Sequence, residues 1–405
     1  MIRHRLLVLT VCGGLAASPE SFASTARLGA LAEHPLVADE LDVIDFPGLL
    51  GEHGNQARLE ISTVADGSVD GSLVALFGHE VVLGAWIHRP DEWRDLDKYE
   101  TLFATDEVLG EDGLLPPIQD IADLFLGFGN GFGVRVTTAA GLRSTEVYDR
   151  EGALVSTGAT AFAIGAQLGY SLRLDGYHAD FGAGLSFSPF WVEREGARLY
   201  DGGTVPSWLV RHRSVLGPRR DLAAVVDLSL SRRAYTITAA GSTEYPAEDG
   251  GFGRWLFDLT VGPRLALPFE ATAWLGLGLA VEHLAGRIAG TTQPTLIGLS
   301  LPCAAGALEA PLHDLIVLRV GARYELAYAT ALLPRSDEPA LGLAGAPAGE
   351  QELGQAFTWS TGLGLTLAAF RVDATVEQSL LLDGPDFIGG REPGLFGRLS
   401  AGAMW

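Results

Sequence analysis

The residues that could carry chemistry include two histidine–aspartate pairs. His178 precedes Asp180 by two positions, and His313 is followed directly by Asp314. A histidine held beside a carboxylate can act as a general base or activate a nucleophile, so both pairs are hydrolase candidates. Their value depends on where the surrounding elements place them.

A third candidate is the glycine-rich run Gly127–Gly133, which superficially suggests a phosphate-binding loop. Such a loop needs a strand before it and a helix after it. Residues 134–138 instead have the character of a strand, and Asn130-Gly131 is a strong signal for a tight hairpin turn. We therefore predict a hairpin here. No metal-ligand spacing is found in the sequence, so neither a cofactor nor a metal is expected.

The more informative constellation consists of charged residues that alternate with apolar ones. Both signs occur, often two residues apart. Two interpretations stay open, namely a polar lumen that passes or orients a solute, and a network of paired charges that fills the interior. The predicted inward-facing residues are Arg58, Glu60, Arg173, Asp227, Asp258, Arg264, Glu282, Arg319, Arg323, Glu325, Arg371, Asp373, Glu377 and Arg398.

The elements that carry these charges have a period of two. In residues 316–328, apolar side chains occupy every second position, and Arg319, Arg323 and Glu325 occupy the alternate positions. Successive side chains of a strand point to opposite faces, so one face is apolar and the other charged. The strands run about 10 to 15 residues, longer than is usual in soluble sheets and suited to tilted membrane strands. Aromatic residues near strand ends are typical of an interfacial girdle.

The sequence therefore predicts an all-β fold, a transmembrane antiparallel up-and-down β-barrel of about 16 strands, with 14 as the alternative. Tight links such as Asn130-Gly131 and Asp175-Gly176 alternate with mostly longer ones, as in bacterial outer-membrane barrels. The predicted strands are 56–65, 70–78, 79–88, 120–129, 132–142, 160–174, 177–192, 206–216, 221–240, 253–267, 271–284, 294–308, 314–328, 356–369, 370–382 and 394–405.

The N-terminus predicts export from the cytoplasm. Arg3 and Arg5 precede a short apolar run, and small residues before position 24 predict a signal peptide over 1–23, cleaved after Ala23. Residues 24–55 mix apolar and acidic residues and contain Pro47-Gly48. We interpret them as a plug-like segment in the mouth of a barrel over 56–405; the alternative is a disordered leader.

The C-terminus and the net charge indicate partners. The last strand ends on Trp405, as outer-membrane barrels commonly end on an aromatic residue, which the barrel assembly machinery reads. We expect the outer membrane of a Gram-negative bacterium as location and the lipid bilayer as a partner. A formal net charge of -22 argues against nucleic acid as a partner.

Two long links differ in character. Residues 89–119 contain aromatic and acidic residues, and we interpret them as a lid over the outer mouth; a solvated surface loop is the alternative. Residues 329–355 are rich in Ala, Gly, Pro and Glu and indicate a flexible loop. Both histidine–aspartate pairs lie in or beside tight turns, away from the outer rim. We therefore predict that the protein is not an enzyme.

The stretch Asp39–Leu50 is acidic and then reaches Phe46-Pro47-Gly48. It resembles the N-terminal segment of the long-chain fatty acid (FadL-type) outer-membrane transporters, where an acidic stretch precedes Asn-Pro-Ala. The resemblance implies a barrel of 14 strands that is plugged by its N-terminal segment and takes up hydrophobic compounds. It assigns no binding residue to this chain.

The leading functional hypothesis is a transporter or channel for small molecules, hydrophobic ones among them. The alternative is a structural or adhesion-type surface barrel with a sealed lumen, and a barrel hydrolase is the third. The solute itself is not indicated by the sequence.

Overall fold

The computed structural model describes residues 25–63, 69–89, 119–148, 154–194, 197–202, 205–218, 221–239, 250–288, 291–292, 295–332, 351–376 and 396–405. These residues form one antiparallel sheet and a short N-terminal segment. The strands are β1 Gln56–Thr63, β2 Val69–Phe77, β3 Val81–Arg89, β4 Gln119–Phe128, β5 Phe132–Tyr148, β6 Leu154–Leu174, β7 Tyr177–Phe187, β8 Phe190–Arg194, β9 Ala197–Gly202, β10 Ser207–Leu216, β11 Leu222–Ala239, β12 Gly250–Ala266, β13 Thr272–Ile288, β14 Thr291–Thr292, β15 Thr295–His313, β16 Ile316–Leu332, β17 Gln351–Leu367, β18 Phe370–Val376 and β19 Phe396–Met404.

The sheet closes on itself. Each barrel strand pairs with the next along the chain, and β1 pairs with β19 in the register Gln56↔Met404 to Ser62↔Arg398. The short strands β8, β9 and β14 extend neighbouring strands, and β7 pairs directly with β10. The remaining strands of the described chain form a closed 16-strand barrel. Closure pairs the backbone groups that an open edge would expose, which is why a sheet can span a membrane only as a barrel.

The predicted count of 16 strands is confirmed, and the 14-strand alternative is wrong. Three of the predicted links are corrected by the structure. β5 continues to Tyr148 and β6 begins at Leu154, so the predicted link over 143–159 is mostly strand. The predicted link over 193–205 contains the hairpin of β8 and β9. The predicted turn from Glu309 to His313 belongs to β15.

The tight turns lie together at one end of the barrel. Gly131 and Gly176 adopt φ of 84° and 73°, the left-handed region that such turns require. The N-terminal end of β1 meets the C-terminus at this same end, where the Trp405 N–H donates to the carbonyl of Asn55 at 3.1 Å. In bacterial barrels the short turns face the periplasm, so this is the periplasmic end.

The outward face of the barrel is apolar. Leu168, Leu277 and Leu363 are 53%, 63% and 50% exposed, while inward neighbours such as Gln167 and Arg319 are buried. In water, exposing so many leucine side chains would oppose folding, but hydrocarbon solvates them. The protein is therefore an outer-membrane β-barrel. Its mean hydropathy of +0.22 combines this apolar belt with a charged interior.

Helical structure is limited to short pieces of the N-terminal segment and one turn. α1 spans Thr25–Ala30, and 3-10 helices span Glu40–Val43, Pro47–Glu52 and Pro268–Glu270. The part of the chain that the structure describes has no helix with the length and apolar character needed to cross a membrane. Residues 1–24, with the predicted signal peptide, and residues 90–118, with the predicted lid, lie outside it, as do residues 333–350 of the predicted flexible loop.

Candidate functional site

The N-terminal segment, residues 25–55, runs across and around the interior of the barrel. α1 packs against β16, β17, β18 and β19, and the 3-10 helix Pro47–Glu52 packs against β3 to β7. These two groups of strands lie on different sides of the barrel. One short segment contacts both groups through their inward-facing residues, so it lies inside the lumen. The segment ends at Asn55, beside the periplasmic turn that contains Gly78, whose N–H donates to the Asn55 side chain at 2.9 Å.

Glycines in the wall let the segment approach the strands at backbone distance. A Cβ placed on Gly133 would lie 1.9 Å from the carbonyl oxygen of Pro47. A Cβ placed on Gly182 would lie 1.9 Å from the carbonyl oxygen of Asp45. Any larger residue would therefore push the segment away from the wall. Gly133 belongs to the run that resembled a phosphate loop, and the structure confirms that this run is a hairpin.

Apolar side chains of the segment form two clusters with the wall, counted within the described residues. In the first, Phe46 and Leu50 are fully buried and pack with residues of β2, β3 and β4, including Trp86. In the second, Leu31 and Leu36 pack with residues of β11, β13 and β15. Burial of a leucine or phenylalanine side chain contributes about 1.5 to 3 kcal/mol, so these contacts hold the segment firmly.

Acidic residues of the segment bind arginines of β10. Arg213 donates through Nη2 to Oδ1 of Asp42 at 3.1 Å and through Nε to Oδ2 of Asp227 at 3.0 Å. Arg211 pairs with Asp45 and also approaches Asp227, its Nη2 lying 3.3 Å from Oδ1. The centres of the two guanidinium groups lie 5.6 and 5.2 Å from the centroid of the Phe46 ring. Charge pairing and cation–π contact therefore converge on residues 42–46.

A second network joins α1 to the opposite wall. Arg27 donates through Nε to Oε2 of Glu309 at 2.7 Å, and Arg319 donates to the same oxygen at 2.7 Å. Arg319 is fully buried and also donates to Oδ1 of Asp373 at 2.7 Å. The Arg371 Nε lies 3.1 Å from that carboxylate. Each buried guanidinium is thus matched by carboxylates, as burial of charge requires.

At the edges of the segment, two more ion pairs reach the wall. Arg173 of β6 pairs with Glu52 at 2.9 Å and with Asp180 at 2.7 Å. Arg398 of β19 pairs with Glu33 at 2.7 Å. These pairs are more exposed than those of Arg213 and Arg319, and each is expected to contribute less than about 1 kcal/mol.

The other predicted inward residues mostly pair with neighbours in the wall. Arg58 pairs with Glu60 at 2.9 Å, and its guanidinium lies 5.7 Å from the Trp86 ring centroid. The remaining contacts are Glu282 with Arg254 at 2.6 Å, Arg323 with Glu325 at 3.4 Å, Asp258 accepting from Ser229 at 3.2 Å and Arg264 donating to the Pro218 carbonyl at 2.6 Å. Glu377 lies outside the described residues.

Several titratable groups inside the segment have shifted pKa values, and those of His34 and Asp39 move in opposite directions. Burial lowers the pKa of His34 to about 4, and its Nδ1 accepts a hydrogen bond from the N–H of Leu36 at 3.2 Å. Burial raises the pKa of Asp39 to about 6, against the opposing effect of Arg27. Both shifts arise because the segment is withdrawn from water.

The hydrolase candidates occupy structural positions. Asp180 accepts from Arg173 at 2.7 Å within the wall. His313 Nδ1 accepts from the N–H of Leu315 at 3.3 Å in a periplasmic turn. Over the ranges that the structure describes, no three His, Cys, Asp or Glu side chains are grouped so that they could hold a metal ion. Asp180 thus orients Arg173, and a serine–histidine contact, Ser214 Oγ to His212 Nε2 at 2.6 Å, lies elsewhere in the wall.

Sequence reasoning missed the principal contacts of the segment. Arg211 and Arg213 lie on β10, and neither was among the predicted inward residues. A signal was present, since two arginines two residues apart share a face, and Asp42 and Asp45 form an acidic pair in the segment. Only the closed barrel brings these groups together.

Comparisons with known proteins show similarity at the level of solved structures. No protein-family model matches the sequence, and no curated protein matches it. Among solved structures, the chain is similar to the copper transporter OprC, with TM-score 0.41, 11% identity and coverage of 84% of this chain and 48% of that chain. It is also similar to CdiB from Acinetobacter baumannii, with TM-score 0.40, 10% identity and coverage of 87% and 60%.

A third similar structure is the Pseudomonas putida toluene transporter TodX, with TM-score 0.38, 10% identity and coverage of 94% of this chain and 96% of that chain. The chain spans about half the length of OprC and 60% of CdiB. These similarities assign no activity to the chain, so its function must be argued from its own geometry.

Proposed function

We propose that the protein is an outer-membrane transporter for small molecules, hydrophobic ones among them, whose lumen is plugged from the periplasmic side by residues 25–55. The observation that carries the proposal is the asymmetry of the lumen. Near the periplasmic end, the segment is buried against wall residues such as Arg319 and Asp373. Farther from the tight turns, the inward pair Arg323 and Glu325 keeps side-chain exposures of 42% and 30%. A space that the described residues leave open on the outer side, and that a docked segment closes on the periplasmic side, suits the capture of a solute before its passage.

The attachment of the segment also supports a gate. It is continuous with β1 through Asn55, and elsewhere the described contacts are ion pairs, hydrogen bonds and apolar packing. Such contacts can exchange without breaking a covalent bond, so a solute or partner that binds the displaced state would shift the population. The FadL-type resemblance of Asp39–Leu50 agrees with this mode of transport. That family's barrel has 14 strands and this one has 16, so the proposal extends to the plugged mode of transport and not to membership in the family.

A second candidate, a surface barrel with a sealed lumen, is favoured by one specific observation. Buried pairs such as Arg213 with Asp42 and Arg27 with Glu309 fix the segment strongly. Loss of either partner of such a pair costs about 3 to 5 kcal/mol. A scaffold would require that the segment stay docked, whereas a transporter would require that the segment be displaced.

The test is a reversible lock. The N–H of Ala32 donates to the hydroxyl of Ser360 at 2.9 Å, so Ala32→Cys with Ser360→Cys would place two thiols at disulfide distance across the segment and β17. Cys303 is first replaced by serine, because it is the free cysteine of the described chain. Uptake of apolar and polar fluorescent solutes into proteoliposomes is then measured before and after reduction.

The proposal expects uptake by the unlocked protein, loss of uptake in the oxidised double variant and recovery on reduction. Deletion of residues 25–50 should raise conductance in planar bilayers. The matched controls are the Cys303→Ser proteins that carry either Ala32→Cys or Ser360→Cys alone. Reduction should leave their uptake unchanged. Absence of uptake by the unlocked protein, with a closed pore after deletion, would refute transport and favour the sealed scaffold.

A further inference from the structure

The outward face of the barrel carries a cation beside two tryptophans. Trp208 of β10, Arg232 of β11 and Trp255 of β12 are direct register neighbours. On these same strands, the buried residues Arg213 of β10, Asp227 of β11 and Arg254 of β12 point inward. Inward residues therefore have odd numbers on β10 and β11 and even numbers on β12. The row of Trp208, Arg232 and Trp255 therefore has the outward parity, and Trp255 is 42% exposed.

The two indoles close over the arginine stem. Their ring centroids lie 5.5 Å apart in an edge-to-face arrangement, although β11 runs between their strands. Neighbouring strands are about 4.8 Å apart, so both rings must lean across Arg232. Its guanidinium carbon lies 5.6 Å from the Trp255 ring centroid, and its Nε is buried without a hydrogen-bond partner. The stem is thereby fixed, and the terminal nitrogens lie nearer the surface than Nε.

The height of this row corresponds to the outer edge of the apolar belt. Arg232 lies about ten residues beyond Leu222, where β11 leaves its periplasmic turn. At about 3.3 Å per residue and a strand tilt of about 40°, it stands about 25 Å above that turn, which equals the height of an outer-membrane apolar band. At this level a membrane presents its polar headgroups.

The charge of Arg232 has no carboxylate partner among the described residues. The comparable outer arginine, Arg198, also stacks on an indole, with its guanidinium 5.0 Å from the Trp191 centroid, but it pairs with Asp201 at 2.9 Å. A guanidinium in a weakly hydrated site gains from an anion with several oxygens, and phosphate suits its planar donors. The amphipathic indoles suit the acyl–headgroup boundary.

We infer that Trp208, Arg232 and Trp255 form a binding site for the phosphate of an anionic lipid headgroup in the outer leaflet. The phosphate accepts hydrogen bonds from the terminal guanidinium nitrogens, and the indoles contact the adjoining apolar part of the lipid. This site lies on the outside of the wall and is independent of solute passage through the lumen.

The test is native mass spectrometry of the folded protein in mixed detergent–lipid micelles. Phosphatidic acid and phosphatidylcholine of equal chain length are compared, since only the former carries a phosphate monoester. Wild-type protein should retain phosphatidic acid about tenfold more strongly than phosphatidylcholine, the scale of one charge-assisted contact. Arg232→Gln should lose this preference, whereas Arg232→Lys should keep a reduced one.

Arg198→Gln is the matched control, because it removes a stacked arginine that already has a carboxylate partner, and it should leave the preference intact. Heat-modifiable mobility in gels verifies that each variant is folded. If Arg232→Gln fails to fold, the lipid retention of the Arg232→Lys variant and of the wild-type protein decides the test. Equal retention of the two lipids by wild-type protein would overturn the inference. So would displacement of the lipid by an equal concentration of inorganic phosphate, which would indicate a site for soluble anions.

Discussion

Replacement of Arg213 by methionine tests the docking of the N-terminal segment. Arg213 is 3% exposed and bridges Asp42 of the segment to Asp227 of the wall. Methionine preserves much of the stem volume and its packing but removes the charge. Asp42 and Asp227 would then face each other without the guanidinium between them, and Arg211 would be left to offset Asp227 and Asp45.

The cost follows from the burial of these groups. Asp42 and Asp227 are 8% and 6% exposed, so neither carboxylate can recover full hydration while the segment stays docked. Removal of one partner from a buried ion pair costs about 3 to 5 kcal/mol. Undocking of the segment restores the hydration of Asp42. Most of this cost is therefore paid only by the docked state, and the equilibrium shifts toward the undocked state. At about 1.4 kcal/mol per factor of ten, the undocked population rises by about two to three and a half orders of magnitude.

The assay is hydrogen exchange of the amides of residues 42–45, which in the docked segment donate to nearby carbonyls such as Asp39 at 3.0 Å and Leu41 at 3.0 Å. Arg213→Met should accelerate their exchange by at least about a hundredfold. Arg198→Met, which breaks an exposed pair, should change it by less than about fivefold. In a protein that already carries Asp42→Asn, Arg213→Met should accelerate the exchange of these amides less than it does in the wild-type protein. Exchange within threefold of wild type would refute the reasoning that Arg213 holds the segment.

Three further predictions concern packing, pH and assembly. Gly133→Ala should displace the segment and accelerate the same exchange, because its Cβ would lie 1.9 Å from the Pro47 oxygen, whereas Gly306→Ala, with 3.6 Å to its nearest neighbour, should not. As pH falls from about 6.5 to about 4, His34 should weaken docking by about tenfold per pH unit, because burial lowers its pKa to about 4 and the undocked state takes up a proton that the docked state resists. His53, whose pKa burial also lowers to about 4, acts in the same direction, and Asp39, whose pKa burial raises to about 6, acts in the opposite one. A His34→Gln variant should lack the His34 part of the pH dependence, and an unchanged profile would contradict this origin. Trp405→Ala should slow assembly into vesicles by the barrel assembly machinery and weaken closure, because the Trp405 ring reaches across β1 and lies 5.7 Å from that of Phe77 in β2. Equal rates of heat-modifiable barrel formation would count against it.

Strand positions were predictable because alternation is a local signal. A strand that separates lipid from a polar interior must place apolar residues at every second position, and β12 and β16 do so clearly. The signal fades where strands continue beyond the membrane, since both faces then contact water. The extensions of β5 to Tyr148 and of β6 from Leu154 were missed for that reason.

The location of the N-terminal segment was expected, but its contacts were not. The mixture of apolar and acidic residues indicated a segment that needs partners of both kinds. Arg213 lies 171 residues from Asp42 in sequence, and Glu309 lies 282 residues from Arg27. No local pattern joins such residues, because their proximity depends on the radius and register of the whole barrel.

The sequence by itself therefore determined the strand number to within one hairpin, the alternation that places charges such as Arg319 and Asp373 inside, and the end that carries the tight turns, because these depend on a period of two and on turn residues. Tertiary structure alone decided which charges meet. Closure brings Arg213 to Asp42 and Arg319 to Asp373 around the docked segment, and it leaves Arg232 outside between two indoles. The physical reason is that burial makes pairing obligatory inside the barrel, while the partner of an outward charge must come from the membrane.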